Sequence, residues 1–180
     1  MLKKVLITAI FFAGFSLSTF AQDFGYIGVD KCSMCHKSEK QGEQLKIWKA
    51  SKHANAFKTL QSDKAKEIAS KMGIADASKA KECLVCHASG YNVDAKLLDA
   101  KFSVEDGVQC ETCHGPGSEY KSMKVMKSRE ESVKNGLKVW NNEEEIKKMC
   151  VTCHNEKSPT YKGFDFAKNY NEIKHNIPKN

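Results

Sequence analysis

A mainly α-helical single domain with few or no strands, its core built largely from covalently bound prosthetic groups, is the fold class the sequence predicts. Three observations carry the prediction. One pentapeptide occurs four times: Cys32-Ser-Met-Cys35-His36, Cys83-Leu-Val-Cys86-His87, Cys110-Glu-Thr-Cys113-His114 and Cys150-Val-Thr-Cys153-His154. All eight cysteines lie in these copies. The stretches between copies carry helix caps and helical apolar spacing rather than the alternation of strands.

Cys-x-x-Cys-His is the attachment signal for c-type haem. The two thiols add across the two vinyl groups of one haem, and the following His supplies a proximal nitrogen to iron. Zinc ribbons and redox disulfides also use Cys-x-x-Cys, but neither requires a His after every second Cys. With 6 His in 180 residues, chance would place one after all four pairs about once in a million such chains. The sequence therefore predicts four c-type haems. Their thioether positions are Cys32, Cys35, Cys83, Cys86, Cys110, Cys113, Cys150 and Cys153. Their proximal ligands are His36, His87, His114 and His154.

The amino terminus predicts export. Lys3 and Lys4 precede an apolar run from Val5 to Leu17, and Thr19-Phe20-Ala21 is a small-x-small cleavage site. Residues 1–21 read as a signal peptide and 22–180 as one tetrahaem domain, with no stable membrane span after cleavage. The apolar run is short for a span, and no Cys follows it to carry a lipid. A periplasmic location agrees with haem attachment outside the cytoplasmic membrane. The mature chain offers about 40 residues per haem, so the porphyrins must supply much of the core. The formal charge of +7 is no sign of nucleic-acid binding. Two of its lysines leave with the leader, and each haem brings roughly one negative charge when ferric and two when ferrous. The lysines are scattered, as on a solvated surface.

Taken in order, Asp23 to Lys31 is a short lead-in. Gln41 to Leu60 reads as one helix whose apolar face includes Leu45, Trp48, Phe57 and Leu60. His53 lies on that face, which suits a distal ligand as well as a packed core histidine. Asp63 to Met72 is a helix capped by Ser62 or Asp63 and stopped by Gly73. Asp76 to Glu82 is a short helix leading into the second motif. Tyr91 to Glu105 is an irregular connector with a small hairpin. The glycines of Gly107-Val-Gln-Cys110 and Gly115-Pro-Gly117 let backbone pass close to a ring, and Pro116 stops the motif helix. The 22 residues between His87 and Cys110 make the second and third haem sites neighbours. Ser118 to Lys134 is a helix ended by Asn135-Gly136. Asn142 caps a helix that delivers the fourth motif, and a short helix precedes His175.

Ligand arithmetic follows. Beyond the four motif histidines only His53 and His175 remain, so within one chain at most two haems can be bis-histidine. The others must take Met, another ligand, or an open position. Met34 and Met149 lie in or against motifs, which leaves Met72, Met123 and Met126 as thioether candidates. Met126 is preferred, because helical spacing sets it on a stripe with Val133 and Leu137.

Phe24-Gly-Tyr-Ile-Gly before Cys32, then Trp48 with Ser51-Lys-His53-Ala, then Gly107-Val-x-Cys-x-x-Cys-His-Gly-Pro-Gly117, resemble the tetrahaem cytochrome c-554 family. The resemblance covers nearly the whole mature chain. It implies a mostly helical fold with closely stacked haem pairs, soluble periplasmic electron transfer, and three bis-histidine haems beside a five-coordinate one. His53 matches the family's distal His after the first motif, and His175 its C-terminal distal His. The family's further distal His, on the helix after Gly-Pro-Gly, has no counterpart; Met123 and Met126 occupy that region. By resemblance, the haem of the second motif is the five-coordinate one. The function this implies is single-electron transfer between redox partner proteins. The alternative is an enzyme acting on nitric oxide or hydroxylamine at an open haem, for which the sequence offers no acid–base cluster.

Overall fold

Helices form wherever a motif has to present its three reactive side chains together. The structure, a computed structural model, describes residues 24–177. The signal peptide and its cleavage site lie outside the described residues. In chain order the α-helices are α1 (Val29–Ser33), α2 (Gln44–Ala50), α3 (Ala56–Thr59), α4 (Asp63–Lys71), α5 (Lys81–His87), α6 (Cys110–His114), α7 (Met123–Met126), α8 (Arg129–Lys134), α9 (Glu143–Cys150) and α10 (Phe166–Ile173). Single 3₁₀ turns lie at Glu39–Gln41, His53–Asn55, Ala95–Leu97 and Val104–Asp106. Among the described residues the extended pairing is one isolated bridge between Tyr26 and Leu98.

Each motif starts on a helix: α1, α5, α6 or α9. Residues i, i+3 and i+4 of a helical turn share one face, so both thiols and the imidazole project together. Where α1 and α9 end early, the turn still closes through His36 N to Cys32 O at 3.1 Å and His154 N to Cys150 O at 3.0 Å. Caps predicted from the sequence are present. Ser62 Oγ accepts from Ala65 N to start α4, and Asn142 Oδ1 accepts from Glu145 N to start α9.

Two predicted long helices are broken, and each break has a polar cause. Residues 41–60 turn out of helix at Ser51, which is extended and whose hydroxyl donates to Trp48 O. The peptide of Val108 clamps the break from both sides. Its carbonyl accepts from Trp48 Nε1 at 2.8 Å, and its N–H donates to His53 O at 3.0 Å. Residues 118–134 divide at Ser128, which caps α8, while Ser122 caps α7. The Ser132 hydroxyl then donates to Val125 O and folds α8 onto α7. Serine side chains compete here with the helical ladder. The Met126, Val133 and Leu137 stripe is therefore not continuous, and Val133 is exposed. Two smaller expectations also change. The helix before the second motif begins at Lys81 rather than Asp76, and residues 91–105 form 3₁₀ turns rather than a hairpin.

The third motif is the hub. The Glu111 carboxylate, buried between Cys110 and Cys113, accepts from Ile27 N (2.9 Å), Gly28 N (2.8 Å) and Gly117 N (2.7 Å). Burial pushes its carboxyl up from the ordinary value, while the three amides and the Lys121 charge oppose that rise. Gln109, also buried, accepts from Val29 N and donates to Ser103 O. Tyr120 donates to Gly115 O at 2.7 Å. α1 consequently packs on α6, and also on α2. Gly107 has φ +74°, and a Cβ there would stand 2.6 Å from His53 O. The glycine thus admits the backbone of His53 rather than a ring. Gly115, already outside the right-handed region, ends α6 before Pro116 is reached.

The apolar core is small. One cluster joins Leu60, Ala69 and Ala77, with Ile74 and Leu84 against it. The largest side chains that are almost wholly buried are Gln109, Glu111 and Ser132, all polar. A fold held this way is sensitive to single polar changes. Glu111→Gln turns an NH2 donor toward the main-chain N–H donors and is expected to cost about 2–3 kcal/mol, read as a lowered urea midpoint; an unchanged midpoint would show the three bonds to be dispensable. Gly107→Ala meets both a positive φ and the His53 carbonyl, and should cost about 1–3 kcal/mol in the same titration.

Candidate functional site

The four motifs converge. Cys32 and Cys110 lie thiol to thiol; this interaction, with burial, pushes Cys32 up, and the same contact holds Cys110 down. Cys86 and Cys153 form a similar pair, and burial followed by the Cys153 charge pushes Cys86 up to about 11. Burial and then Cys150 push Cys113 up to about 11. The first motif therefore meets the third, the second meets the fourth, and the third meets the fourth. The second and third motifs are joined as their short spacing predicts. Ser89 N donates to Gly107 O at 2.9 Å, Gln109 N donates to Ser89 Oγ at 2.7 Å, and the Ser89 and Thr112 hydroxyls are hydrogen-bonded.

The two spare histidines each stand opposite a motif histidine. His53 faces His154, with ring centroids 6.0 Å apart and planes at 52°. His175 faces His114, at 5.7 Å and 47°. Two imidazoles on opposite sides of one metal, at about 2 Å per nitrogen, hold their centroids about 6 Å apart. His53 follows the first motif in sequence but faces the fourth in space, because the Val108 clamp turns it there. His175 arrives by a different route. Asp165 caps α10, α10 packs on α2, and the chain leaves the helix extended at Lys174.

The electrostatics favour the neutral forms of His114, His53 and His36. Burial, then the His175 charge, push His114 down to about 4. Burial, then His154, lower His53; burial, then His175, lower His36. A neutral imidazole has one bare nitrogen, as a metal ligand requires. For His87 the choice of nitrogen is settled. Its Nδ1 meets Ala56 O at 2.7 Å, so Nδ1 carries the hydrogen and Nε2 is free. Phe164 stacks on His154, with centroids 4.6 Å apart at 15°.

This donor set fits covalent haem. Each motif offers two unpaired thiols and an imidazole on one helical face. The buried Nδ1 of His36 makes no hydrogen bond. Met126 is half-buried on α7, and Met123 is 67 % exposed. The sequence reading missed Glu111, Gln109, Gln44 and Phe164. The first two look like filler positions in and beside a motif, and their signal is a pair of large polar residues flanking Cys110. Gln44 and Phe164 carry no local signal.

Residues 31–115, which span the first three motifs, match the family model for cytochrome c554 and c-prime. Cytochrome c-554 of Nitrosomonas europaea is 28 % identical over 174 residues, covering 91 % of this chain and 72 % of that protein. No solved structure gives a significant match. The chain is thus similar to the cytochrome c554 and c-prime family over residues 31–115 and to one cytochrome c-554 over most of its length.

Proposed function

We propose that this chain is a periplasmic tetrahaem electron carrier, exported by a signal peptide over residues 1–21 and passing single electrons between redox partner proteins. The observation that carries the reading is the placement of His53 and His175. The chain's spare imidazoles lie at metal-bridging separations from motif histidines, 6.0 and 5.7 Å by ring centroid. Similarity to the cytochrome c554 family model and to a cytochrome c-554 supports c-type haem, and the four motifs support four copies of it.

Cys32 and Cys35, Cys83 and Cys86, Cys110 and Cys113, and Cys150 and Cys153 would each hold one haem by thioether bonds. His36, His87, His114 and His154 would be the proximal ligands. His53 would complete the site of His154, and His175 that of His114. Haem supplies an iron that gains and loses one electron. The chain's part is to fix spacing, orientation and dielectric. The convergent motifs would hold the four sites within one closely packed group, and the depressed basicity of His114 and His53 keeps their lone pairs available at neutral pH. Among the described residues, no histidine ring pairs with His36 or His87 as His53 and His175 do with His154 and His114. Met126 is the thioether candidate for one, and the second motif is the candidate for an open position. Among the described residues no helix is long and apolar enough to cross a membrane.

Mass spectrometry of the exported protein should show four covalent haems and a chain beginning at Gln22. Fewer haems or a retained leader would overturn the reading. His53→Ala and His175→Ala should each convert one low-spin haem to high spin, seen by electron paramagnetic resonance; wild-type spectra from both would remove them as ligands. Met126→Ala should lower the highest of the four midpoint potentials, since thioether favours ferrous iron. An unchanged redox titration would leave both unpartnered sites open.

A further inference from the structure

We propose that Gln44 is a positioning residue for His36: its side-chain carbonyl takes the Nδ1 hydrogen of that imidazole and leaves Nε2 as the metal-binding nitrogen. The inference rests on the haem reading above.

Gln44 opens α2, and the residue before it, Glu43, is held in the left-handed region at φ +54°. Its Nε2 donates to two main-chain carbonyls, Gln41 O and, at 3.1 Å, Asn176 O. Carbonyls only accept, so both amide hydrogens are committed and the orientation of the amide is settled. Oε1 must then point away from both carbonyls. It is buried and makes no hydrogen bond, and His36 Nδ1 is buried and makes none either. The two residues are neighbours, since Leu45 N, next to Gln44, donates to His36 O at 3.0 Å. An acceptor without a donor beside an imidazole nitrogen without a partner is a costly pair to leave unjoined. A hydrogen bond between them satisfies both.

Because Oε1 can only accept, Nδ1 must carry the hydrogen and the lone pair must sit on Nε2. His87 has the same arrangement with a main-chain acceptor, Ala56 O. Gln44 does for the first motif what Ala56 does for the second. Its hold depends on the C-terminal segment, because Asn176, next to His175, supplies one of the two carbonyls that orient the amide. The tail passes close enough that a Cβ on Gly42 would meet Asn176 O at 2.6 Å.

An acceptor on the outer nitrogen makes imidazole a stronger donor to ferric iron and lowers the potential of the iron it binds. The test is a spectropotentiometric titration of the haem-loaded wild type, Gln44→Met and Gln44→Glu. Met keeps the volume and removes the acceptor, so one midpoint should rise. Glu keeps an acceptor and adds charge, so the same midpoint should fall. Midpoints that stay at wild-type values, or that move in the same direction in both variants, would overturn the proposal. If Gln44→Met does not load haem, Gln44→Glu decides alone: a fall supports the role, and a rise or no change overturns it. Haem content separates this from the wider reading. A wild type without four haems overturns the carrier, whereas four haems with unmoved midpoints overturn only Gln44.

Discussion

Three main-chain amides on one buried carboxylate set the frame of this protein. Glu111 sits inside the third motif and binds Ile27, Gly28 and Gly117. Hydrogen bonds to a charged acceptor are worth about 1.5–3 kcal/mol each. Burial opposes ionisation, and the amides offset it. The result is directional. Ile27 and Gly28 deliver α1, and so Cys32, against Cys110; Gly117 returns the chain toward Gly25 through Ser118. Without this carboxylate the first and third motifs have little apolar surface to hold them together.

The same scarcity explains why the cofactors matter to the fold. In an ordinary domain of this length the largest almost wholly buried side chains are aliphatic or aromatic; here, among the described residues, they are Gln109, Glu111 and Ser132. Apolar side chains inside the motifs, Met34 and Val85, are 69 % and 52 % exposed. Polar anchoring fixes where the motifs stand, and apolar porphyrin faces between them would supply the burial that the side chains do not. Folding and haem loading would then be one process, with the frame around the sites hydrogen-bonded rather than merely packed.

Much of this was legible where the determinants are local. The motif helices, the Ser62 and Asn142 caps and the helix before His175 follow from spacing and capping within a few residues. The breaks at Ser51 and Ser128 were not legible. Both stretches have helical apolar spacing, and what wins is a long-range contact in one case and serine capping in the other. The partner of His53 was also hidden, because the Trp48 and His53 clamp on Val108 joins segments some sixty residues apart. Glu111 occupied a position that the motif leaves free, so its role depended on which amides the fold would bring to it. The family resemblance agrees with the similarity of the chain to cytochrome c-554 of Nitrosomonas europaea. The absent histidine after Gly117 remains a departure of this chain from the family pattern.

Histidine pairing is the claim from which the proposed electron-carrier function follows. Its most direct measurement is spin quantification of the fully oxidised, haem-loaded protein by electron paramagnetic resonance. Two of four irons should carry low-spin bis-imidazole signals, from the pairs His53–His154 and His114–His175. The other two should differ from these and from each other. Four equivalent bis-imidazole haems, or no bis-imidazole haem at all, would contradict the pairing.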